Sequence, residues 1–156
     1  MRLLSSFFLF AALVASAAAS EITIARVFTG WHDAESFKRI SEYFTGKENT
    51  SGTTVLRTHP DQRAGFYFLV RAANSGAPTR VKISVDVITP TNNQAKTYAF
   101  AADLKTGATV LNIGLTADDW PDAKANPVAW KIELIANDGQ VLAGEKSYLW
   151  ENNGAK

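Results

Sequence analysis

Between residues 65 and 73 the chain reads GFYFLVRAA, and apart from Arg71 both side-chain parities are apolar: Phe66, Phe68, Val70 and Ala72 on one, Tyr67, Leu69 and Ala73 on the other. Side chains alternate between the two faces of a strand, so this run predicts a central strand covered on both sides. The segment at 80–89 alternates instead, Val81, Ile83, Val85 and Val87 being separated by Lys82, Ser84 and Asp86. That is the pattern of an antiparallel strand with one wet face. Weaker versions recur at 21–29 (Ile22, Ile24), 53–57, 95–101 (Tyr98, Phe100) and 108–115 (Leu111, Ile113, Leu115). Near the end, Val128, Trp130, Ile132 and Leu134 alternate with Lys131 and Glu133, Asn137-Asp138-Gly139 supplies a tight turn, and 140–150 returns. Gly144 reads as a bulge in that last strand, and Ser147-Tyr148-Leu149-Trp150 as its end.

One segment has a helical period. Asp33 suits an N-cap, Glu35 suits the positive end of the helix dipole, Phe37, Ile40 and Phe44 recur at helical spacing, and Gly46 stands where a left-handed terminating residue belongs. So short a helix is not stable alone in water, which predicts that this stripe docks on Tyr67 and Leu69 of the central strand. About eight short strands and one short N-terminal α-helix make a mainly β chain, read as an immunoglobulin-like or fibronectin-like antiparallel β-sandwich.

Composition changes the picture at the N-terminus. Arg2 precedes an apolar run over 3–14 and small residues over 15–20, the pattern of a secretory signal that is too short to span a bilayer. Cleavage after Ala17, Ala19 or Ser20 fits equally well; we take 1–19 as the leader, 20–151 as a single domain and 152–156 as a disordered tail. No later run could insert in a membrane. Cysteine is absent, which excludes a disulfide framework, a thiol nucleophile and Cys-based metal sites. Without Arg2 the basic and acidic residues balance, against a nucleic-acid partner.

Candidate chemistry is sparse. His32 and His59, with Asp33, Glu35 and Asp61 nearby, match no metal-ligand spacing and read as loop histidines. No Gly-x-Ser-x-Gly or Ser-x-x-Lys accompanies the Ser, His and Asp residues, so no nucleophilic site is expected. Asp118 and Asp119 are adjacent, which in an extended loop points them apart; they read as solvated acids or as part of an oxygen-lined calcium site. Arg57, His59, Arg63 and Arg71 concentrate positive charge before and within the central strand. They could receive a carboxylate-bearing partner. Otherwise Arg71 pairs internally with Glu42, Glu48 or Asp61 and ties the helix to the sheet.

Aromatic residues give the better lead. Trp31 and Trp120 fall in expected loops, and Tyr148 and Trp150 share a parity on the last strand; such rings bind sugar faces or another protein when exposed, and plug the fold when buried.

The segments Glu42-Tyr43-Phe44-Thr45-Gly46-Lys47-Glu48, Leu56-Arg57-Thr58, Arg63-Ala64-Gly65-Phe66-Tyr67-Phe68 and Ser147-Tyr148-Leu149-Trp150 resemble small exported bacterial proteins of unknown function with an immunoglobulin-like sandwich. That resemblance implies the fold and export and brings no site residues. The expectation is therefore a non-catalytic, cofactor-free binding module, periplasmic or extracellular, whose partner is another envelope or extracellular protein. The alternative is a carbohydrate-binding module. Trp31, Trp120, Tyr148, Trp150, Arg57 and Arg63 are the candidate contact residues.

Overall fold

The doubly apolar run is β3 (Gly65–Asn74), hydrogen-bonded on one side to β1 (Ile22–His32) and on the other to β6 (Gly107–Thr116), antiparallel to both. A short strand, β2 (Thr54–Arg57), completes this sheet by pairing parallel to β6, giving the order β1-β3-β6-β2. The second sheet has the order β5-β4-β7-β8, where β4 is Thr79–Thr89, β5 Asn92–Leu104, β7 Ala129–Ile135 and β8 Val141–Lys146. These features belong to a computed structural model that describes residues 21–153; the leader expected over 1–19 lies outside the described residues. With β2 set aside, the first, second and fifth strands form one sheet and the third, sixth and seventh share the other. That is the immunoglobulin-like arrangement, here with the fourth strand, β5, paired to the third.

Alternation decides which side chains fill the space between the sheets. Phe66, Phe68, Val70 and Ala72 of β3 and Leu111, Ile113 and Leu115 of β6 meet Val81, Ile83, Val85 and Val87 of β4 and Ile132 and Leu134 of β7, all buried. Arg71 is exposed on the opposite face of β3, where its guanidinium lies 5.4 Å from the Phe28 ring centroid. The expected pairing of Arg71 with Glu42, Glu48 or Asp61 does not form: Glu48 and Glu42 are taken by Arg57 and Arg63, and Arg71 lies beside Arg26 and Phe28 of β1.

The helix is broken. Asp33 does cap, its Oδ1 accepting from Ser36 N at 2.9 Å, and Gly46 does terminate in the left-handed region at φ 66°. Between them, however, a 3-10 turn (Ala34–Phe37) and α1 (Ile40–Thr45) are separated by extended Lys38 and Arg39. The two-residue interruption destroys the helical phase. Phe37 therefore reaches Tyr67, with ring centroids 4.6 Å apart, while Ile40 and Phe44 face solvent.

The C-terminal strand is also shorter than its pattern suggested. β8 stops at Lys146, and Tyr148–Asn153 form a 3-10 turn in which strand parity no longer applies and which takes in Asn152 of the expected tail. Its bulge lies at Leu142, between the pairs Leu134↔Ala143 and Ile135↔Val141, and not at Gly144, which pairs with Glu133. Gly139 supplies the positive φ of the β7–β8 turn, at 92°. Among the described residues no helix is long and apolar enough to cross a membrane.

Candidate functional site

Strand register gathers the candidate residues at one end of the sandwich. β3 begins there, β1, β4 and β6 end there, and the loop from β6 to β7 closes it. The candidates share that end but not a surface. Trp31, expected in a loop, is the penultimate residue of β1 and packs against the core; Trp120 is only 3% exposed and tilts over Phe66 at 4.8 Å. Trp150 is half-buried with the Lys131 ammonium 5.6 Å from its centroid, and Tyr148, 88% exposed, stands free.

Arg57 and Arg63 build an anchor on the outer face of the first sheet. The Arg57 side chain is almost wholly buried; its Nη1 and Nη2 donate to Glu48 at 2.9 and 2.6 Å, and its Nε donates to the Tyr67 hydroxyl at 2.8 Å. Tyr67 in turn donates to the Arg63 carbonyl at 2.7 Å, and Arg63 Nη1 reaches Glu42 of α1 at 2.7 Å. Phe37 closes the cluster by lying against Tyr67 and 5.1 Å from the Arg57 guanidinium. Beneath the phenol is Gly114, where a Cβ would fall 2.5 Å from the ring. The donors that could have received an outside carboxylate are already paired, and what they hold is the excursion from β1 to β2.

The electrostatics follow from these contacts. Hydrogen bonding from Arg57 depresses the Glu48 carboxyl below its ordinary range, and Arg63 does the same for Glu42. Burial pushes the Tyr67 phenol up, with Arg57 pulling partly back. Groups whose folded-state pKa is depressed contribute stability that is present above the ordinary glutamate value, near 4.5, and is lost as pH falls through the depressed values. Denaturant midpoints measured between about pH 7 and pH 3 are expected to fall in the acid range, and less steeply in Glu48→Gln. Parallel pH curves for the two proteins would show that Glu48 is not engaged.

What this anchor presents is an apolar face. Ile40, Tyr43 and Phe44 of α1 are 79%, 73% and 86% exposed, while Glu42, between them in sequence, points back to Arg63. Beside them is a notch of about 290 Å³ lined by Lys38, Tyr43, Gly46 and Arg63. Sequence reasoning placed Ile40 and Phe44 against the sheet and assigned Tyr43 no role. The signal that could have found this face is the Lys38-Arg39 pair, an unfavourable place for continuous burial.

A second concavity, of about 630 Å³, opens between the β4–β5 hairpin and the loop after β6. One wall holds Asp119, whose Oδ1 accepts from Lys96 at 2.6 Å while Oδ2 lies 3.1 Å from His59 Nε2. Burial raises the Asp119 pKa, but Lys96 and the neighbouring hydroxyls outweigh it and hold the carboxyl low. The Lys96 ammonium also sits 4.8 Å from the Tyr98 centroid. Asp118 and Asp119 lie in a 3-10 turn rather than the expected extended loop, and both line this concavity. His32 packs tilted against Phe37 and edge-on against Tyr67, and no cluster of three or more His, Asp or Glu residues arranged for a metal occurs among the described residues.

No protein-family model and no curated protein matches the chain. Among solved structures it is similar to a candidate beta-galactosidase from Bacteroides fragilis, at 15% identity and TM-score 0.40, over 81% of this chain and 17% of that one. It is also similar to an immunoglobulin-like protein from Pseudomonas aeruginosa, at 18% identity and TM-score 0.32, over 83% of this chain and 96% of that one. This chain thus spans a small part of the first neighbour's length. The fold assignment rests on strand order and register and borrows nothing from either neighbour.

Proposed function

We propose that the chain is an exported, non-catalytic β-sandwich binding module that docks another protein of the envelope or extracellular space through the outward face of α1. The leader pattern at the N-terminus supports export. The observation that carries the docking surface is the exposure of Ile40, Tyr43 and Phe44 on a turn pinned from behind by the Glu42–Arg63 pair. Apolar side chains held outward by a rigid support bury area on contact without the cost of ordering a loop, which is the character of a binding hot spot.

The sugar-binding alternative in its ring-stacking form, the one exposed aromatic residues would serve, calls for two coplanar exposed rings. Trp31 and Trp120 are spent on the core and Trp150 is overlaid by Lys131, so Tyr148 has no companion among the candidates. Capture from an envelope extract, run in parallel with the wild type and Tyr43→Ala/Phe44→Ala, tests the docking face. A partner retained by the wild type should fall by about tenfold or more with the double variant, whose melting temperature stays unchanged. Equal capture by both proteins, or none by either, overturns the assignment.

A further inference from the structure

The concavity between the β4–β5 hairpin and the loop after β6 has no part in the α1 face, and its lining has a chemistry of its own. Its volume of about 630 Å³ lies within the usual span of ligand sites, roughly 300–1,000 Å³. We propose that this cleft binds a neutral, polyhydroxylated ligand, a saccharide of a few rings, by hydrogen bonding rather than by ring stacking.

Charge argues first. Lys96 and Asp119 neutralise each other within the wall, leaving Lys124 opposed by Asp118 and Asp122. A phosphate or carboxylate ligand is held by concentrated cationic donors, and an ammonium ligand by concentrated acceptors. This cleft concentrates neither.

Amides argue second. The side chains of Gln94 and Asn126 make no hydrogen bond within the described fold, and Asn92 uses only Oδ1, which accepts from Gln94 N at 3.0 Å. Each such amide presents a donor and an acceptor side by side, and a sugar hydroxyl, itself donor and acceptor, answers both. Thr89 and Thr91 add a hydroxyl pair 3.2 Å apart. The lining also includes Pro90, Pro121 and Ala125, apolar surface suited to the C–H faces of a ring.

A third observation coincides with them. Among the described residues one buried side-chain polar atom has no hydrogen-bond partner, the indole Nε1 of Trp120, and Trp120 lines this cleft. Buried polar groups are normally paired, and the exceptions call for an explanation. The aromatic platform that ordinary sugar modules use is absent here because the Trp120 ring is turned into the core and Tyr98 is overlaid by Lys96. Recognition by scattered amides without stacking implies weak affinity, with Kd on the order of 1 mM.

The test uses the mature chain labelled with nitrogen-15 and titrated with maltose, cellobiose, lactose and N,N′-diacetylchitobiose, each compared with galacturonate, glucosamine and inorganic phosphate. At least one neutral disaccharide should saturably shift the side-chain amide signals of Asn92, Gln94 and Asn126 and the Trp120 indole N–H. In Gln94→Ala/Asn126→Ala the remaining Asn92 and Trp120 signals should report a Kd about tenfold weaker, with the melting temperature unchanged. Silence from all four disaccharides at about 50 mM, shifts confined to the α1 face, an unaffected double variant, or tighter binding of a charged probe would each overturn the proposal. Because α1 lies on the outer face of the other sheet, Tyr43→Ala/Phe44→Ala should leave these titrations unchanged.

Discussion

Arg57→Ala is expected to cost about 3 kcal/mol of stability, near the lower edge of what breaking a buried ion pair costs, because Glu48 keeps some contact with water. The loss has two parts. Truncation leaves the Glu48 carboxylate without its bidentate partner, and it deprives the Tyr67 hydroxyl of a donor while Phe37 loses the guanidinium it lies against. A cycle with Glu48→Gln separates these parts: if the ion pair dominates, the double variant should be more stable than the sum of the single losses predicts, by about 1 kcal/mol or more. Guanidinium denaturation measures each value. A loss under about 1 kcal/mol for Arg57→Ala would mean that the excursion between β1 and β2 is not held by this cluster.

Trp120→Ala is expected to cost about 3–5 kcal/mol, since the indole fills the end of the core against Phe66 and the chain around it has little room to collapse. Trp120→Phe is the informative companion. It keeps a ring over Phe66 and removes the unpartnered N–H, so it returns a desolvation cost while losing volume, and the net change should stay within about 1.5 kcal/mol. Denaturant midpoints of the two variants decide this. If both lose the same amount, the ring is not packed on Phe66.

Where periodicity is strong the sequence was a sufficient guide. Side chains of β4 alternate over many positions and burial follows that alternation, while β3, apolar on both parities, is buried on both faces over its first four residues, because each face of a strand has a single environment. It misled where regular phase breaks. Ile40 and Phe44 were assigned to the sheet on the assumption that Phe37 shares their helix, yet extended backbone at Lys38 and Arg39 rotates them away. Tyr148 and Trp150 were given strand parity, which a 3-10 turn abolishes. Of the six candidate residues, Arg57 and Arg63 were read as contacts for an outside partner, and tying the helix region to the sheet was given to Arg71; the pairs with Glu48 and Glu42 are made by Arg57 and Arg63 instead. Sequence cannot say which arginine of three lies opposite Glu42 and Glu48. The amides of the cleft were invisible for a different reason: Asn92 and Gln94 sit at the start of β5 and Asn126 in a loop, where polar residues are ordinary and only the fold brings them to one opening.

The parallel pairing of β2 with β6, Thr54 with Leu111 and Arg57 with Gly114, also sets an order of assembly. β3 and β6, and the hairpins β4–β5 and β7–β8, can form without β2, whereas β2 has nothing to join until β6 is in place. Once β3 and β6 are paired, β2 reaches β6 across the short connection 58–64, so its docking follows theirs and costs little further loop closure. The excursion carrying α1, tied to the sheet by β2 and the Arg57–Arg63 cluster, is expected to open as a unit smaller than the domain, which amide exchange along β2 would report. A partner bound to Ile40, Tyr43 and Phe44 would hold that unit shut, so occupancy of the docking face and protection of the β2 edge rise together.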